Sequence, residues 1–192
     1  MHKVSGSYSG GAYINHIHHC FIQQGGILID GVTDGTIHNN FIYGHSCLHS
    51  LKFQGPTGNY SITNNNITSP QGSGAIWLAN SGSLDFRIQG NFFDGLVTAL
   101  KKGHGIYSPD AIGRVSVIGN QFQHQLCGIF AVDPYFWTIT GNDFEDCNNQ
   151  DSGALAGPWS DVTIKGVTGA GMNVISNNTF HQSASRGATP GY

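Results

Sequence analysis

The chain has 192 residues, 28 of them glycine, with only 10% charged residues and a formal net charge of −3. That length suits a single domain, the absence of a basic patch excludes nucleic acid as a partner, and the glycine content argues against long helices. No apolar run reaches the roughly 18 to 20 residues needed to insert in a bilayer, and no charged-then-apolar leader marks a signal peptide.

Residues 1–12 form an N-terminal lead-in with no capping helix. Next, Ile17…Cys20…Ile22 is a worn first copy of a phrase that the rest of the chain repeats. The phrase runs apolar, any, Asn or Gly, Asn, any, apolar. It returns as Ile37…Asn40…Ile42, Ile62…Asn65…Ile67 and Ile88…Asn91…Phe93. Three further copies are Val117…Asn120…Phe122, Ile139…Asn142…Phe144 and Ile175…Asn178…Phe180. Successive Asn residues stand 25, 26, 29, 22 and 36 positions apart. A fixed motif at a period of twenty-odd residues means stacked repeats.

The phrase has a physical reading. Its apolar residues lie on strands and face inward, and the chain turns sharply between them. The residue before each Asn is Asn39, Asn64, Gly90, Gly119, Gly141 or Asn177, the two types that enter the left-handed region at least cost. The Asn side chains then stack coil over coil in an internal ladder. A second phrase precedes each Asn: Gly26-Ile27-Leu28-Ile29, Leu51-Lys52-Phe53, Ile76-Trp77-Leu78, Gly105-Ile106-Tyr107 and Gly128-Ile129-Phe130-Ala131. Two inward apolar residues flanking one outward residue make a half-buried strand. Each repeat therefore holds at least two strands. The long step from Asn142 to Asn178 carries Val162–Val167 and Met172–Ile175, and predicts an inserted hairpin or an irregular rung. Residues 183–192, rich in Gly and Pro, predict an extended C-terminal tail.

These phrases resemble the right-handed parallel β-helix of the pectate-lyase-like superfamily, bacteriophage tailspikes included, over residues 13–182. The fold class expected is all-β: a single-stranded right-handed parallel β-helix of about seven coils with an Asn ladder at Asn40, Asn65, Asn91, Asn120, Asn142 and Asn178. The fold leaves function open, because one solenoid hosts lyases, hydrolases and inert stalks. Solenoid ends need covering, so both ends of this chain point to a larger assembly. The resemblance implies a homotrimer of tailspike type, packed with other virion proteins on the exterior of a virus particle or otherwise extracellular.

The register turns sequence into columns. The outward residues of the second phrase are Leu28, Lys52, Trp77, Tyr107 and Phe130, an aromatic stripe parallel to the axis. Such rings stack on the apolar faces of sugars, and they also dominate interfaces between subunits. Asn80 lies in the column of Asp110 and Asp133, on the preceding coil. Adjacent coils set those two carboxyls roughly 5 Å apart, the spacing of a retaining glycosidase pair, and like charges that close split their pKa values. Ser108-Pro109-Asp110 and Asp133-Pro134 are equally ordinary turn sequences. A second choice is Asp94 with Glu145, two coils apart with Gln123 between, about 9.5 Å by the same spacing; His124 and Asp146 flank that groove.

Gly103-His104-Gly105 echoes the Gly-His-Gly of polygalacturonases, but the place of that family's paired Asp reads Gly72-Ser73-Gly74-Ala75. Polygalacturonase activity is therefore not expected, and His104 reads as a turn residue. The acids of a lyase calcium site are also missing. His16-Ile17-His18-His19-Cys20 sets His18 against His38 one coil on; without a third spaced ligand it reads as surface or subunit contact. No metal and no cofactor is expected. Cys47 and Cys127 stand three coils apart, roughly 14 Å, too far for a disulfide, so free buried thiols are expected.

Two functions follow. One is a tailspike-like domain binding bacterial polysaccharide through Trp77, Tyr107, Phe130 and Asn80. It acts without chemistry or, if it is an enzyme, as a depolymerase of the glycoside hydrolase rather than the lyase kind. The other is a non-catalytic stalk, decoration or adaptor whose stripe is a subunit interface.

Overall fold

The computed structural model describes residues 2–5, 15–44, 48–69, 74–79, 85–95, 103–147, 161–168 and 171–181. Every regular element among them is a β-strand, and the strands form three parallel sheets of seven. Sheet A comprises His2–Ser5, Ile27–Asp30, His49–Gln54, Gly74–Leu78, His104–Ser108, Cys127–Val132 and Val162–Lys165. Sheet B comprises Asn15–His18, Thr33–His38, Gly58–Thr63, Phe86–Gln89, Val115–Ile118, Thr138–Thr140 and Val174–Ser176. Sheet C begins with Phe21–Gln23 and ends with Thr179–His181. The chain visits A, B and C in turn seven times, so the fold is a parallel β-helix of seven coils. The flanks of the Asn phrase supply sheets B and C, and the second phrase supplies sheet A.

The corner between B and C is held by the amide ladder. The Asn65 main-chain N–H and its Nδ2 both donate to Asn91 Oδ1, at 2.9 and 3.0 Å, and Nδ2 also donates to the Ile37 carbonyl at 2.8 Å. The same bonds join Asn40 to Asn65, Asn91 to Asn120, Asn120 to Asn142 and Asn142 to Asn178. Cys20 donates only its main-chain N–H, to Asn40 Oδ1 at 3.0 Å, as a residue without an amide must. An unbonded amide inside an apolar solenoid costs about 1–3 kcal/mol; repetition satisfies each one by the next. The turn residues before the ladder have φ between 53° and 65°, from His19 through Asn39, Asn64, Gly90, Gly119 and Gly141 to Asn177.

Inside, Ile37, Ile62, Ile88, Val117 and Ile139 form a buried sheet B column. On sheet C, Phe93, Phe122, Phe144 and Phe180 stack face to face, with centroids 4.7, 4.8 and 5.1 Å apart. That stack explains the glycines opening the second phrase. A Cβ on Gly105 would lie 2.5 Å from Phe122 Cδ1, and one on Gly128 would lie 2.5 Å from Phe144 Cδ1.

Two expectations are corrected. The long step after Asn142 holds no hairpin among the described residues: Val162–Lys165 pairs parallel with sheet A of coil 6, and Val174–Ser176 with sheet B. Asn173 secures this last coil, accepting from the Trp137 N–H at 2.9 Å and donating to the Pro134 carbonyl at 3.1 Å. A large C-to-A connection, residues 148–160, lies outside the described residues, as does the tail at 183–192. At the other end, the lead-in contributes a strand of its own. His2–Ser5 pairs with Ile27–Asp30 and starts sheet A.

Candidate functional site

Sheet A brings the outward column together as the register requires. Leu28, Lys52, Trp77, Tyr107, Phe130 and Thr163 are direct neighbours on successive coils. Lys52 Nζ stands 5.4 Å from the centre of the Trp77 ring. Trp77 meets Tyr107 edge to face at 5.1 Å, and Tyr107 stacks on Phe130 at 5.3 Å. All three rings are half-buried. Trp77 Nε1 has no hydrogen-bond partner among the described residues.

Two buried histidines that the sequence reading did not place here support the rings. The His49 ring packs edge-on against Trp77 at 4.0 Å, and His104 stacks on Tyr107 at 5.0 Å while reaching Phe130 at 5.5 Å. His104 is thus no turn residue; it opens a sheet A strand. The signal was present in the spacing, since His49 and His104 each stand three positions before the outward residue of their coil. Burial lowers both imidazoles to about 4, with the Lys52 charge adding to the effect at His49. Both are neutral at neutral pH, so this face carries ring surface and little charge.

The carboxylates behave differently. Asp110 is exposed. Asp133 is only 5% exposed, and its carboxylate accepts from the Val167 N–H at 2.5 Å, from the Thr168 N–H at 3.0 Å and from Thr168 Oγ1 at 2.8 Å. Asp133 anchors the turn of the next coil, so its lone pairs are committed to structure. Asn80 lies outside the described residues. The second pair sits on sheet C, where Asp94, Gln123 and Glu145 align across three coils. Gln123 Nε2 donates to Glu145 Oε2, and His124 Nδ1 lies 3.3 Å from Asp94 Oδ1. Asp146 is buried beside this column.

At the opposite end of the helix, His18 stacks on His38 at 5.1 Å, as the register predicts. His18 Nδ1 and His19 Nδ1 share a hydrogen bond of 3.0 Å, and Asn39 Nδ2 lies 3.3 Å from His38 Nδ1. Cys20 Sγ turns to the His18 carbonyl at 3.3 Å. Cys20, Cys127 and Cys147 are free; the last two are buried, and burial holds the Cys127 thiol up at about 12. Cys47 lies outside the described residues.

No curated protein matches the chain. A family model does, over residues 3–168, from the first strand of coil 1 to the turn after sheet A of coil 7; it is described as "Periplasmic copper-binding protein (NosD)". By that match the chain belongs to the NosD family, and its fold is a right-handed parallel β-helix.

Proposed function

We propose that this chain is a glycan-binding β-helix domain acting outside the cytoplasm, with a bacterial surface polysaccharide laid along the outer face of sheet A. The observation that carries the proposal is the continuous column Lys52, Trp77, Tyr107 and Phe130, one side chain per coil. Aromatic rings offer a large apolar area that matches the C–H faces of sugars, while Lys52 provides a polar end. The role is binding without hydrolysis, because Asp133 is bonded into a turn. Display on a virion as a side-by-side trimer is the larger form of the same proposal. The periplasmic description of the family accords with a place outside the cytoplasm.

Copper, which the family's description names, does not fit the residues described. No group of three or more His, Cys, Asp or Glu among them is placed to hold a metal. At the nearest approach, His18, His19 and His38, the ring nitrogens that face one another are engaged in hydrogen bonds and the neighbouring thiol turns away.

Affinity electrophoresis through gels containing capsular polysaccharide tests the glycan reading. Trp77→Ala and Tyr107→Ala are each expected to weaken retardation at least tenfold, equivalent to about 1.4 kcal/mol. Unaltered retardation would overturn it. Sedimentation tests the competing role of the stripe: an oligomer that dissociates on Trp77→Ala assigns the rings to a subunit interface.

A further inference from the structure

Sheet B has a face of its own, and nothing in the stripe on sheet A accounts for it. Over coils 3 to 6 its outer surface forms a groove of about 710 Å³, within the range of small-molecule sites. Its lining includes Asn59, Ser61, Asp85, Arg87, Arg114 and Phe136. Two of the three arginines in the chain therefore meet at one place.

Both guanidinium groups are tethered in the same way. Arg114 Nε is held by Asp85 Oδ1 at 2.8 Å, and Arg87 Nε donates to Gln89 Oε1 at 2.8 Å. Each tether uses Nε and leaves the Nη pair without a bond to any described residue. A guanidinium fixed at one edge and open at the other is preorganised for a carboxylate, which it binds through two parallel N–H donors. Two Arg against one Asp leave this groove locally positive in a chain whose net charge is −3. Ser61 and Ser116 flank Arg87 on the neighbouring coils and supply hydroxyls of a kind suited to sugar hydroxyls.

Phe136 gives the third element. It is 53% exposed and has φ of 58°, the left-handed corner conformation that Asp34, Asn59 and Arg114 adopt at the same place in their own coils. Its neighbour Trp137 fixes that corner: it is 1% exposed, and its Nε1 donates to the Ile112 carbonyl at 2.8 Å. The ring of Phe136 is therefore presented to solvent from a rigid corner beside the arginines.

We infer that this groove is a second saccharide site, selective for a carboxylated sugar residue, with Arg87 and Arg114 on the carboxylate and Phe136 against the ring. The inference stands independently of the role given to sheet A. Calorimetric titration of the chain with a glucuronate-containing oligosaccharide and with its carboxyl-reduced counterpart tests it. The acid form is expected to bind at least tenfold more tightly, with the difference shrinking severalfold between 20 and 300 mM salt, roughly as screening dictates. Arg87→Gln and Arg114→Gln should each abolish the preference, and Trp77→Ala should leave it intact. Phe136→Gly should weaken binding at least tenfold while holding or raising Tm, because glycine relieves the positive φ; a residue with a purely structural role would lower Tm instead. Equal affinity for the two saccharides would overturn the inference. So would an acid preference that survives both arginine changes, or arginine changes whose only effect is on self-association.

Discussion

The outer faces of sheets A and B are supported by the same ladder and the same buried columns, yet their surfaces are opposite in kind. On A, rings backed by two buried neutral imidazoles run from coil to coil beside Lys52. In the groove on B, Phe136 stands beside two guanidiniums held by their Nε ends. The lesson concerns what a solenoid constrains. Inside, each coil must repeat its neighbour, because every amide and every ring is completed by the one above it. Outside, nothing enforces repetition, so each face is free to develop its own chemistry.

The largest test of that contrast removes what the two faces share. Asn120→Ala deletes the acceptor of the Asn91 N–H and Nδ2 and the donor to the Ile88 carbonyl. The expected loss is about 3–4 kcal/mol, from the cost of buried groups left unbonded. Chemical denaturation should show it, and binding at both faces should disappear in one transition. Retention of one face after the other has melted would mean that the coils are not cooperative.

Acid should separate the faces. His49 and His104 are held at about 4 in the folded chain, below the unfolded value near 6.5. Between those values the unfolded state binds more protons, so stability rises with pH there. It is complete above about 6.5 and is lost as pH falls toward 4. The slope is on the order of 1.4 kcal/mol per pH unit for each imidazole. Thermal melts from pH 7 to 4 should reveal it, and His104→Phe should flatten the curve. An unchanged slope in that variant would remove His104 from the account.

A smaller effect should fall on sheet B alone. Asp133 fastens the turn three residues before Phe136, and Asp133→Asn puts an amide donor where Val167 and Thr168 already donate. About 2 kcal/mol is expected from the lost charge-assisted bonds, with weaker binding in the Arg87–Arg114 groove and no change on the face of Trp77. Polysaccharide chain length, measured by size exclusion after incubation, should be the same for this variant and for the unaltered protein. Cleavage present in the unaltered chain and lost in the variant would restore Asp133 to a catalytic role.

Much of the fold was legible because its constraint is local and recurrent. The left-handed residue before each Asn, the amide itself and the apolar flanks all stand within six positions, and the strand of sheet A precedes them at a nearly constant offset. That constancy also placed Lys52, Trp77, Tyr107 and Phe130 in one column. Asp133 kept two readings because Asp-Pro has the same letters whether its carboxylate faces solvent or caps a buried turn. The groove on sheet B lies on an equally regular column, since Asn59, Asp85, Arg114 and Phe136 each stand six positions before the ladder Asn of their coil, but its residue type changes from coil to coil, so no repeated letter marks it.

The sequence by itself determined the coil, its register and the order of side chains along each inner column, since a stacked amide or ring demands the same residue one turn later. Only the tertiary structure decided which outward groups are accessible, which carboxylate is spent on main-chain donors, and which arginines from separate coils share one groove. Those outcomes depend on outward side chains, where no neighbouring copy imposes a repeat.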